Sequence, residues 1–319
     1  MKIIKQHINT ASVYTIFDMK YIEIDQNIPF DIFIKKDKNY VIIIEMGSVI
    51  TDSLYTKLQK QDALYIANKD TDKQFLNANT LKYYIRANIS NPKKRLSLLY
   101  DVTKIIFDNY LNNSDNKIDI KSIELIVSAI ISLINYDEDI IKNTMPYFIN
   151  EYNISNHSLH VAMYSIKLGS LIKLSKSELY IVGIAAMLHD VGYKKIDEDI
   201  LHKTDTYSDT DVKEIHKHVR YSIEIVKHNE INDPNVLDAI MCHHERYDGS
   251  GYPHSLHSED ISDFASILAI CDVFDALTNQ RPHRENISSF EALKMMMKST
   301  EMINKFNQNY LNIALKSLQ

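Results

Sequence analysis

Residues 239–253 read AIMCHHERYDGSGYP, and they set two imidazoles, His243 and His244, side by side where an apolar run gives way to a glycine-rich loop. Neutral imidazole is a common metal ligand at physiological pH. Adjacent helical residues point about 100° apart, so the pair reads as two nitrogen donors aimed at two neighbouring metal ions. Other groups of the same type occur upstream and downstream. His157 and His160 flank one helical turn, His189 and Asp190 close the apolar run YIVGIAAMLHD, and His218 stands beside His216 in HKHVRYSIEIV. Asp272 shares an apolar helical stripe with Phe264, Ile267, Leu268 and Cys271. A carboxylate there must be paired or hold a cation, because an isolated buried charge costs several kcal/mol.

Each of these residues also has an ordinary explanation. A His–Asp pair can finish a helix near its carbonyl ends. A lone histidine on an apolar face can be a satisfied core residue, and His216 with His218 can mark a polar face. Taken together, five histidines and two carboxylates on five helices make a dinuclear site. Imidazole and carboxylate without thiolate favour iron, manganese, zinc or cobalt over copper(I) or iron–sulfur.

The elements that must position these groups are mostly helical. Residues 1–75 carry short β-type runs, YIEI (21–24), FDIFIKK (30–36), YVIIIEM (40–46) and ALYIA (63–67), with DKN (37–39) as a hairpin turn. TDSLYTKLQKQ (51–61) reads as a short helix capped by Thr51 or Asp52. From about residue 76 the period becomes helical. Asn91 with Pro92, Ser155, and Pro234 mark helix starts, and Gly192 marks a stop. The expected architecture is mainly α: an all-α helical region, residues 76–319, preceded by a small α+β domain, residues 1–75.

Bulk properties set limits. The 319 residues are 45% hydrophobic and 24% charged, values that allow a sizeable core. A formal charge of −6 argues against non-specific binding to nucleic acid or anionic membrane, so an anionic ligand would need local positive charge. Two cysteines, Cys242 and Cys271, lie in apolar helical contexts without a CxxC, which fits a reducing cytoplasm. IELIVSAIISLINY (123–136), the longest apolar stretch, is too short and too interrupted to span a bilayer. The N-terminus lacks the pattern of a signal peptide.

The order of HSLHVAMYSIKLG (157–169), AAMLHDVG (185–192), HKHVRYSIEIV (216–226), HHERYDGSGYP (243–253) and AICDVFDALTNQRPHR (269–284) resembles the HD-GYP family of HD-domain phosphohydrolases, over roughly residues 150–319. The resemblance implies an all-α HD-GYP domain. Its metal ligands would be His157, His189, Asp190, His218, His243, His244 and Asp272, with Asp190 bridging two divalent ions, iron or manganese first and zinc or cobalt next. The implied reaction opens cyclic di-GMP to linear pGpG, in some members cut on to GMP, through a bridging hydroxide that attacks phosphorus in line. The resemblance implies His189, Asp190, Arg281 and Arg284 as the catalytic residues. Arg281 and Arg284 match positions that contact phosphate. Tyr193, Lys194 and Tyr252 complete the expected substrate side, although DGSGYP reads equally as a plain turn. A homodimer, or a diguanylate-cyclase-type partner at the GYP loop, is the implied assembly, and the first domain is a candidate for regulation.

The sequence departs from the family pattern in three places. Tyr193 stands where HDxGK has lysine. Asn153 stands where three-metal members carry glutamate, which favours two ions. Ser222 replaces a glycine. The first departure motivates a second reading, in which the chain is a catalytically weak receptor or scaffold for a cyclic dinucleotide. A third reading is a phosphodiesterase for a different phosphate ester.

Overall fold

A computed structural model of the chain describes residues 14–17, 24–25, 28, 30–67, 92–137, 139–141, 153–203, 205–279, 287–299 and 301–318. It divides into two compact units, residues 1–102 and 103–319. The change from strand to helix expected near residue 76 lies outside the described residues. The division falls inside a long helix, Pro92–Asn112.

The first unit holds a four-stranded antiparallel sheet ordered β1-β4-β2-β3, from β1 (Tyr14–Phe17), β2 (Ile32–Lys36), β3 (Asn39–Ile44) and β4 (Leu64–Ala67). Asp37 and Lys38 form the β2–β3 turn, with Asp37 at φ 56°, a left-handed conformation that aspartate tolerates. Three of the four expected β-type runs contain strands, while YIEI lies largely outside the described residues. β1 was not expected from the sequence. Helix α1 (Asp52–Leu58) is capped by Thr51, whose side chain accepts from Leu54 N–H. Ile32, Ile50, Leu58 and Ile66 form part of the buried core.

The second unit is helical. Its elements are the end of α2 (Pro92–Asn112), then α3 (Ile120–Tyr136), α4 (Ile154–Leu171), α5 (Lys176–Leu188), a 3-10 turn (Val191–Lys195), α6 (Glu198–Leu201), α7 (Asp209–His216), α8 (His218–His228), α9 (Pro234–Cys242), α10 (Asp263–Thr278), α11 (Ser289–Lys298) and α12 (Gln308–Ser317). α4, α5 and α10 are buried on nearly all sides and pack on one another, and α9 lies against α5 and α10. That makes the start of α4 and the C-terminal halves of α5, α9 and α10 an enclosed place to aim side chains.

Local chemistry fixes the ends. Asp233 caps α9 with Pro234 in the first turn, Ser175 forms a capping box with Glu178 at α5, and Ser262 caps α10. Two expectations are corrected. Asn153, not Ser155, caps α4: its side-chain oxygen accepts from Asn156 N–H at 2.8 Å and from the Ser155 hydroxyl at 2.6 Å. Gly192 does not stop α5, which ends at Leu188. Gly192 sits in the following 3-10 turn, where a Cβ would lie 2.0 Å from the His218 carbonyl oxygen.

That turn is clamped from several sides. The Tyr110 hydroxyl donates to Val191 O at 2.7 Å, and Gly192 N–H donates to Ser222 Oγ at 2.8 Å. The serine at the position where the family has glycine therefore supplies a specific acceptor. Gly192→Ala must push the α8 backbone aside and should destabilise the protein by about 3 kcal/mol, read as a shifted urea midpoint with unchanged slope. Burial pushes both Cys242 and Cys271 up to about 12. Both thiols should therefore resist alkylation at neutral pH in the folded protein and react promptly in denaturant, a difference that mass spectrometry would count.

Candidate metal centre

The seven ligand-type side chains named from the sequence converge. His157, from the first turn of α4, His189, just after α5, and Asp272, on α10, bring donor atoms within 4.8 Å of one another. Asp190, His218 at the start of α8, and His243 and His244 just past α9 form a second group on the same criterion. Asp190 faces both. Its Oδ2 is 3.3 Å from His189 Nε2 and 3.5 Å from His157 Nε2, while its Oδ1 is 3.4 Å from His218 Nε2 and 3.7 Å from His243 Nε2. His157 Nε2 is also 3.3 Å from Asp272 Oδ1. Donors that share one cation at about 2.0–2.2 Å sit roughly 3–3.5 Å apart, so these spacings suit shared cations better than direct pairing.

The remaining ring nitrogens explain why the Nε2 atoms face inward. His189, His218 and His243 each donate Nδ1–H to the carbonyl three residues earlier, Ala186, Ile215 and Ile240, at 2.8, 2.8 and 2.7 Å. His157 uses Asp275 Oδ2 at 2.7 Å instead. Fixing one nitrogen as donor leaves the other as a lone pair. The Nε2 atoms of His189, His218, His243 and His244, and Asp190 Oδ1, are buried without a hydrogen-bond partner. Buried polar atoms are rarely left so, and a cation is the partner this donor set fits.

The electrostatics agree. Burial, helped by neighbouring imidazoles, pushes His243 down to about 3 and His244 well below the usual range, and burial lowers His218. For His189 burial pulls the same way, but Asp190 outweighs it and the net shift is upward. Burial opposes ionisation of Asp190 and Asp272, yet the surrounding imidazoles hold both below the ordinary carboxylate range. The downward shifts of His218, His243 and His244 favour the neutral imidazoles that metal ligation requires, whereas at His189, shifted upward, a cation would have to displace a proton.

Several expectations change here. His243 and His244 do not diverge toward two ions: both fall in one group, with ring centroids 4.0 Å apart. α9 ends at Cys242, so the helical 100° does not govern His244. Lys194 is turned away, its ammonium donating to Tyr110 O, Asn113 O and Asn113 Oδ1 at 2.5, 2.6 and 3.0 Å. Tyr193 stacks on His218 at 4.2 Å and 6°. Tyr252 stacks on both His216, at 3.5 Å and 9°, and His244, at 4.7 Å and 22°. Two imidazoles so placed would overlap on one face, so they take opposite faces, and no face of Tyr252 remains for a nucleobase. Asn153 spends its side-chain oxygen on the α4 cap. Arg281 and Arg284 lie outside the described residues.

Sequence reasoning missed the supporting shell. Asp275, fully buried, holds His157 through one oxygen and lies 3.0 Å from His160 Nδ1 through the other, with Asn279 donating to it as well. Its i+3 spacing from Asp272, matched by His160 at i+3 from His157, was the available signal. Glu245, also buried, accepts from His254 N–H at 2.6 Å and Leu256 N–H at 2.9 Å, tying down the glycine-rich loop. Arg246 donates to His243 O and Glu245 O.

A family model described as "HD domain" matches residues 135–304. The chain belongs to the HD domain family. The HD domain here carries the motif set of the HD-GYP branch. It is 32% identical over 140 residues to a cyclic di-GMP phosphodiesterase of Pseudomonas aeruginosa, covering 44% of this chain and 34% of that one. It is 38% identical over 130 residues to 3'3'-cGAMP-specific phosphodiesterase 2 of Vibrio cholerae, covering 40% and 25%. It is 40% identical over 114 residues to the cyclic di-GMP phosphodiesterase response regulator RpfG of Xanthomonas campestris, covering 35% and 30%. The match thus spans between a quarter and about a third of these relatives' lengths. Among solved structures, Bd1817, an HDG"Y"P protein from Bdellovibrio bacteriovorus, aligns with TM-score 0.61 at 18% identity, over 96% of this chain and 99% of that one, and shares the fold. Among the described residues no helix is long and apolar enough to cross a membrane.

Two outcomes follow for the HD domain. Asp275→Asn keeps the shape but removes the charge that orients His157, and should weaken metal affinity about 10–100-fold by isothermal titration. Stripping metal with a chelator should lower the melting temperature by roughly 5–10 °C, the effect of losing a ligand present at about 100 times its dissociation constant.

Proposed function

We propose that the chain is a metal-dependent phosphodiesterase that hydrolyses cyclic di-GMP to linear pGpG, GMP or both. One observation carries the reading: the two oxygens of Asp190 face two separate groups of buried imidazoles. In this reading His157, His189, Asp190 and Asp272 hold one divalent ion, and Asp190, His218, His243 and His244 hold the other, with iron or manganese the best match. Such ions supply Lewis acidity toward phosphoryl oxygens and lower the pKa of water.

The protein's own groups do the rest. The carbonyl and Asp275 hydrogen bonds keep the imidazole lone pairs aimed inward before any substrate arrives, so little reorganisation is needed. The carboxylates of Asp190 and Asp272 stay ionised. Arg281 and Arg284 are assigned, by their match to the family pattern, to the phosphate charge, which guanidinium suits. The first unit is assigned a regulatory role, and the loop at Tyr252 a place near a second copy or a partner.

Tyr193 supports a second reading. Its ring occupies the side of His218, Lys194 is engaged elsewhere, and Lys195 pairs with Glu224 at 2.7 Å, so the turn delivers no ammonium to the substrate. Loss of one such contact costs roughly 100–1,000-fold in rate, which would leave a receptor or scaffold rather than a fast enzyme. The names of the relatives also divide between cyclic di-GMP and cGAMP.

The test is direct. Protein purified anaerobically with iron or manganese is given cyclic di-GMP and 3'3'-cGAMP, and products are separated by chromatography. The expected result is turnover of cyclic di-GMP that vanishes in the His189→Ala, Asp190→Ala double variant. Wild-type rates in that variant would remove this site from the reaction. Tyr193→Lys should raise turnover; tight nucleotide binding with no product in either form would favour the receptor.

A further inference from the structure

Four of the five imidazoles are fixed through a ring nitrogen, His157 by Asp275 and His189, His218 and His243 by main-chain carbonyls. Among the described residues no hydrogen bond to a ring nitrogen fixes the side chain of His244. Yet its Nε2 is buried and belongs to the second donor group. What holds this ring is packing. It lies against His243 at 4.0 Å and, more nearly parallel, against Tyr252 at 4.7 Å and 22°.

Tyr252 is itself held from behind. Its other face carries His216, the last residue of α7, at 3.5 Å and 9°. The loop brings Tyr252 into this position by folding tightly on the His244 backbone. Tyr252 N–H donates to His244 O at 3.2 Å, and a Cβ on Gly251 would come within 2.5 Å of that same oxygen. The result is a three-ring pile, His216–Tyr252–His244, running from α7 through the loop to the donor group. His216 belongs to neither donor group, and its spacing from His218 suggested only a polar helix face.

We propose that His216 and Tyr252 are positioning residues that aim His244 into the second donor group by ring stacking, the task that hydrogen bonds perform for the other four imidazoles. Resting on the metal reading above, the inference predicts an asymmetry between the two groups. Weakening the stack loosens the group of Asp190, His218, His243 and His244, and leaves that of His157, His189 and Asp272 as it was. The requirement is for a flat ring at 216, not for an imidazole.

Cobalt(II) is the probe, added to metal-free full-length protein and followed by calorimetry and by its visible absorption. Wild type should take up two equivalents. His216→Leu keeps apolar volume but loses the flat ring, and should bind one equivalent normally and the other about 10–100-fold more weakly, the range for lost supporting contacts at metal ligands. His216→Phe keeps the ring and should recover two-site binding, as should Tyr252→Phe, while Tyr252→Leu should behave like His216→Leu. Two unaltered sites in both leucine variants would overturn the inference and leave the metal reading standing. So would a phenylalanine at 216 that binds as poorly as leucine. A wild-type chain that takes up no cobalt would sink the metal reading itself, and this inference with it.

Discussion

Buried nitrogen lone pairs pointing at one another, with ionised carboxylates between them, are the constraint on which the second unit depends. Each buried, unpartnered polar atom costs about 1–3 kcal/mol, and four Nε2 atoms and one oxygen of Asp190 are in that condition. The fold keeps them inward because every alternative orientation costs more. Turning the ring of His189, His218 or His243 would break a short hydrogen bond to a carbonyl in the preceding turn, and turning His157 would take the partner from one oxygen of the fully buried Asp275. A bound cation would offset this cost by giving the lone pairs a partner, and its binding energy would then become folding energy.

Placing the groups this close requires helices that end at the right depth. His189 follows the last residue of α5, His243 follows the last residue of α9, and His218 opens α8. At a helix end the side chain can project along the axis, and the carbonyl three residues back is still within reach. The 3-10 turn after Asp190 brings α8 against it so closely that only glycine fits at 192. Ser222, Tyr110 and Lys194 secure that turn from three directions. The departures from the family pattern are thus built into the packing. The serine supplies an acceptor, the tyrosine at 193 covers an imidazole, and the asparagine at 153 caps a helix.

The candidate donors were legible in the sequence because donor chemistry depends on residue type. Histidines and aspartates closing apolar runs have few inexpensive explanations when several occur together, and the motif order narrowed the choice further. The helical class was legible because the 3.6-residue period is a local property, and most caps followed from Ser, Asp and Pro at helix starts. β1 was not recognised, although β4 of the same length was, and the α4 cap was misplaced by two residues because Asn153 and Ser155 are both good caps.

Distance was decided only by tertiary structure. Whether His243 and His244 serve one group or two depends on where α9 stops, and whether Lys194 reaches the site depends on oxygens at Tyr110 and Asn113, some eighty residues earlier. The roles of Asp275, Glu245 and His216 likewise rest on partners remote in the chain or across a loop, for which sequence spacing gives no measure. Residue type set which chemistry is available; the packing of α4, α5, α8, α9 and α10 set which atoms meet, because hydrogen bonds and stacking act over a few ångströms that no local pattern encodes.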